Sequence, residues 1–181
     1  MYQAVAVVIG IIALVALGIV IARKQERCTR LRKLWYDHVM WTHKYVLAAT
    51  HNLPDKADTA ARLMANQAEL ASATLPEPGA EHLKALLEDH IKIAVQIVSA
   101  LLAGNQDAPP IKEWQANADD IARYLAQNGI GNFEANQHMM QMHLDLLTKE
   151  VMAIIARNPK DQIKYLDASV NEALEMASSM C

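Results

Sequence analysis

The stretch LRKLWYDHVMWTHKYVLAAT (residues 31–50) can be laid without gaps over LKALLEDHIKIAVQIVSALL (83–102) and NQHMMQMHLDLLTKEVMAII (136–155). The alignment superposes His38, His90 and His143, which lie 52 and 53 residues apart. Apolar side chains recur four residues before, one after and eight after each histidine, and this spacing places them broadly on one helical face. Each stretch is therefore predicted to be an amphipathic helix with its histidine on or beside the apolar stripe.

A second motif repeats in the same phase as the histidines. It reads Leu63-Met-Ala-Asn66, Trp114-Gln-Ala-Asn117 and Leu166-Asp-Ala-Ser169. Turn-forming stretches separate six predicted helices, at residues 52–55, 76–79, 104–110, 128–132 and 158–161. No alternating strand pattern of useful length appears. We therefore predict an all-α fold of three repeated helical hairpins.

The predicted domain covers residues 28–181, with hairpin units at about 28–78, 79–131 and 132–181. Repeats of this length build either open stacks or closed rings of hairpins. The pattern itself leaves both arrangements open.

A long apolar segment precedes this domain. Residues 4–22 contain twelve Val, Ile or Leu, five Ala and two Gly, without a charge. At 1.5 Å per residue, a helix of this length nearly spans a hydrocarbon core of about 30 Å. We therefore predict a single transmembrane helix that contacts the lipid bilayer, with residues 1–27 forming the anchor and its basic flank.

A cleavable signal peptide is the main alternative to an anchor, but it would have a basic start and a shorter apolar core. The flank RKQERCTRLRK (residues 23–33) holds six basic residues and one acid. The positive-inside rule then places the N-terminus outside and the domain on the cytoplasmic side. A reducing compartment also fits two free thiols, Cys28 and Cys181.

One histidine per repeat suggests two different roles. A metal site of His38, His90 and His143 needs ring nitrogens about 2.0–2.1 Å from one ion, which is feasible only if the hairpins close around an axis. In the alternative that we favour, each histidine hydrogen-bonds to a polar residue on the second helix of its unit. The residues available at the matching phase are Asn66, Asn117 and Ser169.

Several function classes lack support in the sequence. The net charge of −3 offers no basis for nucleic-acid binding. No H-E-x-x-H, Gly-rich phosphate loop, G-x-S-x-G or Glu-x-x-His motif occurs, so no catalytic residue and no cofactor are predicted.

Five blocks carry a resemblance that covers nearly all of residues 31–175. They are LWYDHVMWT, LPDKADTAARLMAN, LLEDHIKIAVQIV, WQANADDIARYLA and MHLDLLTKEV. The chain resembles a family of small all-helical proteins found in soil bacteria and large DNA viruses, which has no established activity. His38, His90, Asn66, Trp114 and Asn117 match its pattern. The resemblance implies a helical repeat fold and transfers no catalytic residues.

We therefore expect a membrane-anchored structural or interaction protein whose helical domain binds a protein partner. The viral side of the resemblance suggests a virion membrane or capsid-associated component as its setting. The alternative is a sensor that binds a metal or small ligand through one histidine per repeat.

Overall fold

The computed structural model describes residues 2–104 and 110–181, with side chains from residue 12 onward. Over these residues helix is the only regular secondary structure, and turns and irregular segments connect the helices. The six helices are α1 (Tyr2–Thr50), α2 (Lys56–Thr74), α3 (Gly79–Leu102), α4 (Ile111–Gln127), α5 (Phe133–Ile155) and α6 (Pro159–Ser179). The predicted all-α fold is thus confirmed.

The connections between helices fall where turn-forming residues were found. Two of the helices begin with a side-chain cap, because Asn132 accepts from the amide of Ala135 and Asn158 from that of Asp161. Pro159 occupies the first turn of α6, where its missing N–H costs nothing. The predicted turn at 104–110 lies mostly outside the described residues.

The apolar segment and the first helix of the domain form one continuous helix, α1, of 49 residues. The predicted boundary after residue 27 therefore lies inside a helix and not at a break. Side chains from residue 12 to residue 26 are exposed, and burial begins at Arg27. In the described part of the chain, no helix has an apolar stretch that would suffice to cross a membrane. The structure describes side chains only from residue 12 onward, so the predicted span at residues 4–22 lies partly outside the described part of the chain.

The three hairpins close into a ring. Each helix packs against the next along the chain, and α6 returns to pack against α1. Helix α1 also contacts α3 and α5, so the helices that carry the histidines approach one another inside the ring. The larger of two apolar clusters includes Leu31, Leu83, Ile121, Leu144 and Met176, and a smaller one includes Val46, Val98 and Val151.

Polar contacts reinforce the closure between the first and last helices. The guanidinium of Arg27 donates to the carbonyl oxygens of Met180 and Cys181, at 3.2 and 3.0 Å. The Cys181 thiol donates to the Ala177 carbonyl at 3.3 Å. Burial raises the pKa of the Cys181 thiol, and the neighbouring Cys28 thiol raises it further. The two cysteines, at distant positions in the sequence, therefore meet where the ring closes.

Candidate functional site

The ring brings the three repeat histidines together in its core. The ring centroids of His38 and His143 are 5.5 Å apart, and those of His90 and His143 are 6.4 Å apart. Each histidine is only 4% exposed. The sequence had left stacking and closure equally open, and closure is what allows these side chains to meet.

In the second unit, the predicted pairing between histidine and asparagine is formed. His90 Nδ1 lies 2.7 Å from Asn117 Oδ1, and Asn117 Nδ2 donates to the Leu86 carbonyl at 3.1 Å. Because the amide oxygen can only accept, Nδ1 of His90 carries the proton. In a neutral ring, Nε2 then carries a lone pair, and this buried atom has no hydrogen-bond partner.

The first unit repeats only half of this pattern. Asn66 Nδ2 donates to the Leu34 carbonyl at 3.1 Å, as Asn117 does to Leu86. His38 Nδ1 is hydrogen-bonded to the side chain of Gln67, whose Nε2 lies 3.3 Å away and is the donor. Gln67 is fully buried and also donates to the Leu63 carbonyl at 2.7 Å. The imidazole is thus held from the second helix, but by the residue next to the asparagine.

The third unit differs from the prediction. His143 Nδ1 lies 3.1 Å from Glu172 Oε2, whereas the Ser169 hydroxyl is buried without a partner. Glu172 is 3% exposed, so an ionised carboxylate there needs the imidazole N–H as its donor. The predicted Ser169 pairing is replaced because Glu172, one helical turn further along α6, has the longer side chain and reaches the ring.

Two tryptophans enclose the histidines. Trp35 packs edge-on against His38 and His143, with centroid distances of 5.6 and 6.5 Å. Trp114 lies 5.2 Å from His90 at an interplanar angle of 32°. These aromatic walls keep the imidazoles away from solvent and limit their rotation.

The environment favours neutral imidazoles. Burial and, to a smaller extent, the neighbouring His143 together lower the pKa of His90 to about 3. Burial also lowers the pKa of His38 well below its usual value, with His143 and then His90 adding to the effect. Both rings are therefore uncharged near neutral pH and can act as hydrogen-bond acceptors or metal ligands.

A small cavity lies beside the three histidines. Its walls include Thr42, Val46, Leu63 and Val98, in addition to His38, His90 and His143. The centre of a water molecule can occupy about 20 Å³ of this cavity. The cavity therefore has room for about one water. A large organic ligand would not fit without rearrangement, whereas a water molecule or a metal ion would.

The predicted metal ligands are thus close together without forming a finished site. Within residues 12–104 and 110–181, no three His, Cys, Asp or Glu side chains have the arrangement that holds a metal ion. Two imidazoles bound tetrahedrally to one ion have centroids about 5.2 Å apart, given a metal–nitrogen distance of 2.0–2.1 Å. The His38–His143 separation is near this value, and the His90–His143 separation exceeds it by about 1 Å.

Sequence reasoning missed Gln67 and Glu172, which stand 29 residues after their histidines. It also missed His43, whose Nδ1 lies 2.5 Å from Oε1 of the buried Glu150. The equal spacing of Gln67 and Glu172 was a signal available in the repeat alignment. The His43–Glu150 contact joins α1 to α5 and has no counterpart in the repeat, so no sequence signal pointed to it.

Comparisons with known proteins do not assign the chain to a family. Neither the protein-family models, nor the curated proteins, nor the solved structures contain a match to the chain.

Proposed function

We propose that this protein is a membrane-tethered interaction protein whose helical domain stands on the cytoplasmic side of a membrane. The observation that carries the proposal is the division of α1 into two halves. From Leu31 onward the helix supplies core side chains, whereas Leu14, Val15 and Leu17 are exposed, Leu14 by 71%. Exposed apolar surface of this length is costly in water and finds its natural partner in lipid.

The basic flank supports the orientation. Arg23, Lys24, Arg30, Arg32 and Lys33 are exposed between the apolar run and the bundle. Positive charges in this position favour the cytoplasmic side and attract anionic headgroups. Because α1 continues unbroken into the ring, the tether and the domain share one helix, and the domain is held close to the membrane surface.

A protein is the partner that we propose for the domain. Exposed apolar side chains on the surface of the domain, among them Tyr36, Met152 and Ile163, offer contact points for another protein. The net charge of −3 gives no reason to propose nucleic acid instead. The resemblance to proteins of large DNA viruses suggests a virion membrane or capsid component as the setting.

The test is extraction of the full chain from cell membranes with alkaline carbonate. We expect the parent to remain in the membrane pellet and the variant Leu14→Arg/Leu17→Arg to become soluble. Each arginine near the centre of a span disfavours insertion by about 2.5–3.5 kcal/mol. Arg30→Gln, a change in the flank, is the matched control and should stay in the pellet. Full extraction of the parent by carbonate would overturn the proposal.

A second candidate function is a ligand-binding sensor centred on the three histidines. The observation that favours it is the unpaired Nε2 of His90, a buried acceptor beside a cavity. A ligand that binds the folded state alone would raise the melting temperature. A thermal-unfolding scan of the full chain in detergent, with and without added zinc, tests this function. An unchanged melting temperature would argue against it.

A further inference from the structure

We propose that the cavity beside the three histidines binds a small neutral hydroxyl compound, whose O–H donates a hydrogen bond to Nε2 of His90. Water and short-chain alcohols share this chemistry. The inference rests on the second candidate function in taking this cavity as the ligand site, but its ligand needs no metal coordination. It does not depend on the membrane tether.

Nε2 of His90 is a buried acceptor that the fold leaves free. The amide of Asn117 is fixed in orientation, because its nitrogen donates to the Leu86 carbonyl at 3.1 Å. Its oxygen lies 2.7 Å from Nδ1 of His90, so the ring proton is held there. Nε2 then carries the lone pair and has no hydrogen-bond partner among the described residues. Buried polar atoms are nearly always paired, so a ligand that supplies a donor is favoured here.

The donor group of the ligand has to be neutral. Burial, with a smaller contribution from His143, lowers the pKa of His90 to about 3. The surroundings of this ring therefore disfavour a positive charge. A cationic donor such as an ammonium group would meet the same penalty, which a neutral O–H or N–H group avoids.

The indole of Trp114 favours a hydroxyl group over an N–H donor. Its Nε1 is buried without a partner in the described part of the chain, and the centroids of its ring and the His90 ring lie 5.2 Å apart. Both residues line the cavity. A hydroxyl oxygen donates to an imidazole nitrogen and also accepts from an indole N–H, so one such group suits both atoms.

The size and the walls of the cavity set the rest of the ligand. The centre of a water molecule can occupy about 20 Å³ beside the histidines, so one hydroxyl group fits there. A second cavity of the same size adjoins the first, and the two share the walls formed by Ala94, Val98, Trp114 and Leu147. A short carbon chain attached to the hydroxyl would extend into this apolar second cavity once the shared side chains shift.

The space arises where two of the inner helices stand apart. Helix α1 packs against both α3 and α5, whereas α3 and α5 are not closely packed on each other over the described residues. On α3 the cavity walls include the short side chains of Ala94, Val95 and Val98, which leave volume between the helices. On α5 they include Leu147.

The experiment is nuclear magnetic resonance of the full chain in detergent, with isotope labels in the histidine rings and the valine methyl groups. One arm measures magnetisation transfer from water to the ring protons of His90. The other arm adds ethanol and measures transfer from its methyl group to the methyl groups of Val98. We expect a long-lived water at His90 without ethanol, and saturable replacement of this water by ethanol.

The two arms distinguish the sources of the hydroxyl group. Water that ethanol does not displace would support the site with water as its occupant, whereas ethanol at Val98 would identify alcohols as ligands. Neither water nor ethanol beside His90 in the folded parent would overturn the inference. This result comes from the parent chain alone, so it does not depend on how any variant folds.

A matched pair of variants locates the site. Ala94→Val adds methyl groups to the wall that both cavities share, so it should remove the water signal and weaken ethanol binding by about 10-fold. Ala85→Val, the same exchange at an exposed position of α3, is the control and should behave like the parent. A folded Ala94→Val variant with the signals of the parent would contradict the placement. Zinc-induced stabilisation and membrane extraction are separate measurements, so their outcomes stay distinguishable from this one.

Discussion

His90 and Asn117 form the clearest link between the two helices of a repeat unit: Nδ1 and Oδ1 lie 2.7 Å apart, and the same asparagine donates to the carbonyl four residues before the histidine. This arrangement fixes the ring tautomer and leaves Nε2 facing the core without a partner.

Asn117→Ala should destabilise the fold. The change leaves the Nδ1–H of His90 without its acceptor and the Leu86 carbonyl without its donor, which we expect to cost about 1–3 kcal/mol. Urea denaturation in detergent measures the loss. Gln115→Ala, an exposed position on the same helix, is the control and should stay within about 0.5 kcal/mol of the parent. Equal stability of both variants would contradict the role of the contact.

The third unit allows the expected partner to be compared with the observed one. Glu172→Ala should cost about 1–3 kcal/mol, because it leaves the buried Nδ1 of His143 unpaired. Ser169→Ala should be neutral or slightly stabilising, since its buried hydroxyl has no partner to lose. Chemical denaturation of the two variants side by side gives the answer. A larger loss for Ser169→Ala would restore the pairing first expected from the sequence.

Stability of the metal-free protein should fall with acid below a pH of about 6.5. The pKa of His90 is lowered to about 3 in the folded state, so the unfolded chain binds more protons between these values. The effect is absent above pH 6.5 and amounts to about 2 kcal/mol at pH 5 for one such histidine. His38 acts in the same direction because burial lowers its pKa too.

Denaturation of the parent and of His90→Gln at pH 7.5, 6 and 5 isolates this contribution. The variant should lose about 2 kcal/mol less than the parent between the highest and lowest pH, because it removes one titrating group. Parallel pH profiles would show that His90 is not kept neutral by the fold. Chelator in every sample keeps bound metal from altering the result.

Two glycines in the loop between α4 and α5 should respond differently to alanine. Gly129 and Gly131 both have a positive φ, 77° and 63°, which costs an alanine about 1 kcal/mol. A Cβ on Gly131 would also lie 2.7 Å from Oδ1 of the buried Asn136, whereas one on Gly129 would meet nothing within 4 Å. Gly131→Ala should therefore lower the free energy of unfolding by at least 1 kcal/mol more than Gly129→Ala, as measured by urea denaturation. A smaller loss at Gly131 would mean that Asn136 moves freely.

The two cysteines should be joined by a mild thiol oxidant such as diamide. Their thiols are neighbours at the closure between α1 and α6, close enough for Cys28 to raise the pKa of Cys181. Mass spectrometry under non-reducing conditions should find a loss of two hydrogens per chain and a single Cys28–Cys181 peptide pair. Cys28→Ser is the control and should lack the intramolecular link. Exclusively intermolecular disulfides in the parent would contradict the contact.

Much of the secondary structure could be predicted from the sequence because its signals are local. Apolar spacing around His38, His90 and His143 indicated three helices, and residues such as Asn158 and Pro159 marked where helices begin. The predicted boundary between the apolar segment and the domain, after residue 27, lies inside helix α1. Residues 19–50 contain neither Gly nor Pro, so one helix continues through the expected boundary.

Which residue hydrogen-bonds each histidine depends on the length and the orientation of its side chain, and a repeat alignment gives neither. Asn117 meets its histidine as expected, but Gln67 and Glu172 take the places assigned to Asn66 and Ser169. In these two units a longer side chain, one residue or one helical turn after the expected partner, contacts the histidine.

The helical periodicity and the turns could be read from the amino-acid sequence, because each depends on residues a few positions apart, and so could the repeat of one histidine per hairpin. That α6 packs on α1 and closes the hairpins into a ring is a property of the folded structure. That closure depends on the summed packing of side chains more than 100 residues apart, such as Arg27 with Cys181. Ring closure turned three similar histidines at distant positions into one buried cluster.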